Sequence, residues 1–295
     1  MARWYRLAGV DAPFDASHRF ETSWAVPPFV LFLIRALISL YAFVTIFFSL
    51  GWESTHGQGQ EARRSFSYFT DLNYWGLAFY FLFAAIHTFT YARSGRAALD
   101  RWPRPLQALH SLLYTTVVTY PFFVTSALPG AEPSLPADAD ESAVVFWVIL
   151  YAGGWFRVYA AWSNVSKHAM NAAFALFELV FARTSPPPWL HLPLLVVLLA
   201  LYVGLAFVTF AAQGFYPYDF LDDRVDGRGR VAAYVFGLLA AVIVVFVVVW
   251  LSIWSRTWLT ERVLGLTGKV HAGRTGRRSD VEMSRPAHKD ALPPS

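Results

Sequence analysis

The chain has 295 residues, of which 56% are hydrophobic and 15% charged, with a net charge of +4 and a mean hydropathy of +0.40. A soluble globule carries more charge than this, so the composition points to an integral membrane protein. The absence of cysteine excludes disulfides, thiol nucleophiles and cysteine-based metal sites.

Arg3 and Arg6 precede no apolar core before Asp11 and Asp15, so no secretory signal peptide is expected, and residues 1–27 read as a cytoplasmic N-terminal segment. Residues 28–255 then read as an integral membrane domain. Its spans are expected near 28–50, 70–91, 106–127, 158–182, 190–212 and 231–253, each long enough for a hydrocarbon core that needs roughly 20 residues. Arg35 lies too deep in the first span to snorkel and is expected to pair with a carboxylate or carbonyl inside the bundle. Pro121 should kink the third span. The interval from Ala143 to Ala182 is too long for one helix, and Gly153-Gly154 is the expected break. Ala143 to Tyr151 reads as a short membrane-dipping segment. From Arg256 onward the tail holds eight Lys or Arg among Gly, Ser and Pro, and disorder is expected for 256–295.

The fold class implied is all-α: a polytopic membrane bundle of about six transmembrane helices plus the dipping segment. With the N-terminus inside, inner segments hold sixteen Lys or Arg and outer ones five. The positive-inside rule then puts both termini in the cytoplasm. An endoplasmic reticulum membrane is expected ahead of the plasma membrane. The basic tail speaks of anionic lipid headgroups before nucleic acid, so membrane lipids are the expected partners and nucleic acid is not.

The stretch Trp162 to Glu178 carries the chemistry. At about 100° per residue, Asn164, His168, Asn171 and Glu178 fall within roughly 80° of one another, with Lys167 at the border. Ionisable groups at such depth are candidates for function, although the same seam can simply hydrogen-bond helices together. Thr70, followed by Asp71 and Asn73, reads first as a helix cap. It can also serve as a nucleophile, since a histidine near neutrality suits the task of removing its proton, and Glu178 or Asp71 could orient the ring. No Gly-x-Ser-x-Gly elbow, His-Glu-x-x-His or Walker loop is present. Three other classes stay open: a transporter or proton relay through Arg35, Lys167, His168 and Glu178; a metal-dependent oxidase using His87, His110 and His168; and a scaffold. The Asn164-Val-Ser166 sequon lies in the polar helix, where a glycan is not expected.

Phe66-Ser-Tyr-Phe-Thr-Asp71, Trp162-Ser-Asn…His168…Glu178 and Gly214-Phe-Tyr-Pro-Tyr-Asp-Phe-Leu221 resemble, in order and spacing over residues 60–255, the androgen-induced-gene family of multi-pass membrane threonine hydrolases. The resemblance implies hydrolysis of fatty acid esters of hydroxy fatty acids, with Thr70 as catalytic threonine and His168 as catalytic histidine, and no cofactor. Asp71, Asn164, Asn171 and Glu178 are supporting candidates by the residue reading alone. Asn164, Asn171 or the backbone amides opening the second span are candidate oxyanion donors. Two departures are plain. Val165 stands where vertebrate members often have a further histidine, and this chain adds the loop from Pro129 to Glu141 and the basic tail.

Overall fold

The computed structural model describes residues 2–127 and 158–269, and among them the chain is helical, with no strand beyond isolated bridges from Ser23 to Ala182 and Lys269. A short α1 (Ala2–Leu7) leads into an extended strap over 11–25. There follow α2 (Pro28–Thr55), α3 (Gly59–Arg64), α4 (Phe69–Ser94) and α5 (Arg104–Ala127). After them come α6 (Val158–Asn164), a π-helical turn (Val165–Met170), α7 (Asn171–Phe181), α8 (His191–Gln213) and α9 (Asp223–Thr257).

By length and apolarity four described helices can cross a membrane: Pro28–Thr55, Phe69–Ser94, His191–Gln213 and the stretch Gly227–Val263. Their outward faces are apolar, with Leu37 and Leu201 both 65% and Phe236 71% exposed, as lipid contact demands. α5 is different. It buries Gln107, His110, Ser111, Thr115 and Thr119, and it packs against α4, α7 and α9, so neighbouring helices take up polarity that lipid would not. The expected membrane-dipping segment lies outside the described residues.

α2 and α4 make the most extensive helix pair, with Ala42 and Ala78 fully buried and Ser39 donating to the Ala78 carbonyl at 3.1 Å. Small residues let the two backbones approach closely. One core cluster includes Ile46, Leu77, Phe81, Val118 and Leu179; the second, toward the other side of α5, includes Phe69, Phe123, Leu199, Leu221 and Phe246.

Arg35 has the pairing that its depth requires, and the partner is Glu178. Its Nε donates to Glu178 Oε2 at 3.2 Å, its Nη2 to Oε1 in a very short contact, and its Nη1 to Thr88 Oγ1 at 2.6 Å and the Phe20 carbonyl at 2.7 Å. Tyr80 donates to Glu178 Oε1 at 2.7 Å. Both charged side chains are fully buried, so α2, α4, α7 and the strap share one neutralised joint.

The chain beyond Arg256 corrects the boundary expected for the disordered tail. α9 runs on into a π turn (Trp258–Val263) and a docked segment that reaches Lys269. Arg256 donates to the Leu179 carbonyl at 2.7 Å and to that of Thr184; Glu261 receives Arg19 at 2.5 and 3.2 Å; Lys269 N–H reaches the Ser23 carbonyl at 2.9 Å. Gly268, with φ +100°, lies so close against Arg183 that no side chain fits. Composition hid this clasp, because its holding contacts are made by a few charged groups and backbone atoms to distant segments. The strap and the clasp lie at one end of the bundle, called here the strap end.

Two outcomes are expected from thermal unfolding in detergent. Arg35→Met alone, by stranding Glu178, should cost about 3–5 kcal/mol, and adding Glu178→Met should recover much of that loss. A chain ending at residue 255 should melt below one ending at 269, because only the longer keeps the Arg19–Glu261 and Ser23–Lys269 contacts.

Candidate active site

Thr70 occupies the second position of α4, whose N-cap residue, Tyr68, makes no side-chain cap hydrogen bond. The cap expected of Thr70 is therefore not what holds this helix start. The turn is held from outside instead: Tyr218 OH accepts from the Phe69 amide at 3.2 Å, Tyr202 OH donates to the Ser67 carbonyl at 2.9 Å, and Thr209 donates to Ser67 Oγ at 3.3 Å. Leu72 N–H returns to the Tyr68 carbonyl at 3.2 Å. The amides of Thr70 and Asp71 sit where a helix offers no acceptor of its own. Thr70 is 8% exposed.

His168 lies in the π-helical turn, half-buried, with Thr125 Oγ1 3.4 Å from its carbonyl oxygen. A π turn adds a residue to the helical repeat and is often found at functional sites. It also breaks the seam expected from regular spacing. One added residue turns the face by about 100°, so Asn164 and His168 no longer share a stripe with Asn171 and Glu178. Asn171 and Glu178, two turns apart, remain on one fully buried face. The turn is fixed to α2 by Tyr41 OH and Ser166 Oγ at 2.7 Å, and α6 by Tyr159 OH donating to Glu53 at 2.9 Å. Ser166 is wholly enclosed.

The two turns meet through an ion pair. Lys167 Nζ stands 2.8 Å from Asp71 Oδ1, both side chains being 17% exposed. α4 and α6–α7 run parallel, because Asp71 pairs with Lys167 and Tyr80 with Glu178, partners 96 and 98 positions apart. That register sets Thr70 level with residues 166–168 along the bundle. The charges that reach the His168 ring are those of Lys167 and Asp71.

The other supporting candidates separate. Glu178 does not orient His168: ten residues away, about 15 Å along the axis, it is committed to Arg35 and Tyr80. Asp71 joins the site through Lys167. Asn164 closes α6, half-buried. Asn171 is fully buried, three residues after His168, and among the described residues neither its amide nitrogen nor its oxygen has a partner. A buried primary amide left so points to a bound molecule. The three histidines of the oxidase reading also part company, for His87 and His110 lie together while His168 stands at the opposite end; among the described residues no group of three ligands could hold a metal.

A small apolar cavity of about 20 Å³ is lined by Phe69, the residue before Thr70, and by Phe123, Leu199, Tyr202, Tyr218 and Leu238, among others. Sequence reasoning named the Gly214 to Leu221 stretch but gave Tyr218 and Tyr202 no task. The available signal for Tyr202 was that it and Thr209, two turns on, are the only hydroxyls of an otherwise largely apolar helix. Comparison of the chain with models of protein families, with curated proteins and with solved structures finds no match.

If the ion pair fastens the two turns, Asp71→Asn and Lys167→Met should be non-additive in a double-mutant cycle. A coupling of about 0.5–1 kcal/mol, shrinking with added salt, is expected from chemical denaturation.

Proposed function

We propose that the protein is an intramembrane lipid esterase in which Thr70 is the nucleophile and His168 the base. The observation that carries the reading is the Asp71–Lys167 ion pair, which packs the turn bearing Thr70 against the turn bearing His168. A weak hydroxyl nucleophile needs such a neighbour.

Thr70 Oγ1 attacks the ester carbonyl carbon while His168 takes its proton. The oxyanion so formed is met by the Thr70 and Asp71 amides, at the positive end of the α4 dipole, where developing negative charge is stabilised. Collapse expels the alcohol, which leaves with the proton from His168, and a water molecule activated by the same ring then releases the acid from acyl-threonine. The side chains around the turn that opens α4, Phe69, Phe123 and Leu199 among them, are apolar and suit a hydrocarbon chain, so the substrate class is an ester of long-chain acids, with fatty acid esters of hydroxy fatty acids as the specific expectation. Lysine held at 2.8 Å by aspartate keeps the site electrically balanced.

The same reading takes six helices across the membrane, α5 and the α6–α7 pair included, with both termini cytoplasmic and the endoplasmic reticulum as home. It is supported by the strap and the clasp lying at one end, together with the arginines of the loop between α4 and α5.

The decisive measurement is turnover of a fluorogenic long-chain ester by purified protein, with labelling by a fluorophosphonate. Thr70→Ala and His168→Ala should each lower turnover about 10²–10⁴-fold, and the double change should fall no further than the worse single. Full turnover by folded Thr70→Ala would overturn the proposal.

A further inference from the structure

Far from Thr70, at the strap end, the bundle encloses polar atoms for which the fold supplies no partner. His87 of α4 and His110 of α5 are 1% and 3% exposed, and their rings stand 5.1 Å apart, nearly perpendicular. Trp102 lies 4.7 Å from the ring of His87, and Phe20 and Tyr80 lie 5.4 and 5.7 Å from that of His110. Among the described residues, neither nitrogen of His87 nor Nδ1 of His110 has a hydrogen-bond partner. The next residue after Phe20 is Glu21, 1% exposed, and both of its carboxylate oxygens are equally unpartnered. His18 Nδ1, also unpartnered, is 3.8 Å from Glu21, too far to bond. Arg35 is the common neighbour, binding the Phe20 carbonyl and lying within electrostatic reach of Glu21, His87 and His110.

Five orphaned atoms on three residues cannot be left dry. Each costs more than an ordinary hydrogen bond gains, and together they would rival the whole stability of a domain. Direct bonds among them are absent, so something small must bridge them. An imidazole offers a donor and an acceptor, a carboxyl group offers the same, and a water molecule with two to four polar partners satisfies both. A metal ion suits the site less well, because no described group of three ligands converges there.

We propose that Glu21, His87 and His110 bind a small cluster of ordered water molecules, and that the strap over residues 11–25 is the cover of this hydrated chamber. The groups facing Glu21 are Asp15 and His18 of the strap itself, Asp100 of the turn Ala98–Arg101 and Arg35 of α2; His87 and His110 come from α4 and α5, while Glu178 of α7 is committed to Arg35. Burial, and after it the charges of Asp15 and Asp100, hold the Glu21 carboxyl well above the usual range. The sign of the pH dependence follows. A carboxyl whose folded value is raised binds more protons folded than unfolded, so its contribution is present at low pH and is lost as pH rises through the folded value.

Radiolytic hydroxyl-radical footprinting of the full chain in detergent tests the water directly, since bound water generates radicals beside side chains that bulk solvent does not reach. After correction for intrinsic reactivity, His87 and His110 should be modified several-fold faster than Tyr114, which is 2% exposed and bonded to Thr184. Rates at or below that of Tyr114 would overturn the proposal. Thermal midpoints supply a second arm. Glu21→Met and His87→Phe should each lower the midpoint, with the double change lowering it by less than the sum because one bridge is lost in all three. Additive shifts, or single changes that raise the midpoint as relief of dry orphans would, count against bridging water. Glu21→Gln should flatten the fall in midpoint as pH rises above the ordinary carboxyl range, and a profile parallel to the parent would remove Glu21 from the site.

Discussion

Everything at the strap end of the bundle leans on the burial of Arg35 against Glu178. Two charges removed from water bear a desolvation cost that their attraction repays only when geometry and further hydrogen bonds are good. Here Tyr80 and Thr88 of α4 and the Phe20 carbonyl of the strap supply those bonds. The pair therefore imposes geometry more than it adds stability. If α7 slid by one turn relative to α2, Glu178 would leave the guanidinium and both charges would be stranded in an apolar interior.

That constraint reaches the other end through the helices themselves. Tyr80 and Asp71 are on one rigid helix, and Glu178 and Lys167 lie on one chain interrupted by the π turn. Fixing Glu178 beside Tyr80 thus sets the level at which Lys167 meets Asp71. The π turn takes up the rotational mismatch: with regular spacing, the face that buries Asn171 and Glu178 would also have to carry His168. A single added residue frees the histidine turn to face its own neighbours.

Sequence and structure agree most where the signal is periodic and long. Apolar runs placed helices near all six expected positions, and the depth of Arg35 announced that it must have a partner. What could not be read was which one. Glu178 looked like a triad member from its spacing to His168, but spacing within a helix says nothing of an arginine 143 positions away on another. The π turn was equally invisible, because no residue type marks it as glycine marks a left-handed turn. Disorder was expected from Arg256 onward because composition argues from average apolar surface; the clasp to Lys269 is made instead by specific ionic and backbone bonds. His87 and His110, named from the sequence only beside His168 in the oxidase reading, belong together because α4 and α5 are neighbours. Their shared lack of partners needed coordinates.

The distribution of charge bears on the choice between chemistry and transport. An ion or proton path through the bundle needs ionisable groups that change partner or charge along its length, and the seam Arg35, Lys167, His168 and Glu178 seemed to provide one. In the folded protein Arg35 is neutralised by Glu178, and Lys167 by Asp71. The two pairs are separated by about nine residues of α4, and the core side chains between Asp71 and Tyr80 on that helix are largely apolar, Leu77 and Ala78 among them. Each pair is locally balanced, so moving a charge between them would strand a partner at both ends. Ester hydrolysis asks for less. As proposed, it needs one proton to travel from Thr70 to His168 and back, between the two turns that the Asp71–Lys167 pair joins, with no charge moved along the bundle.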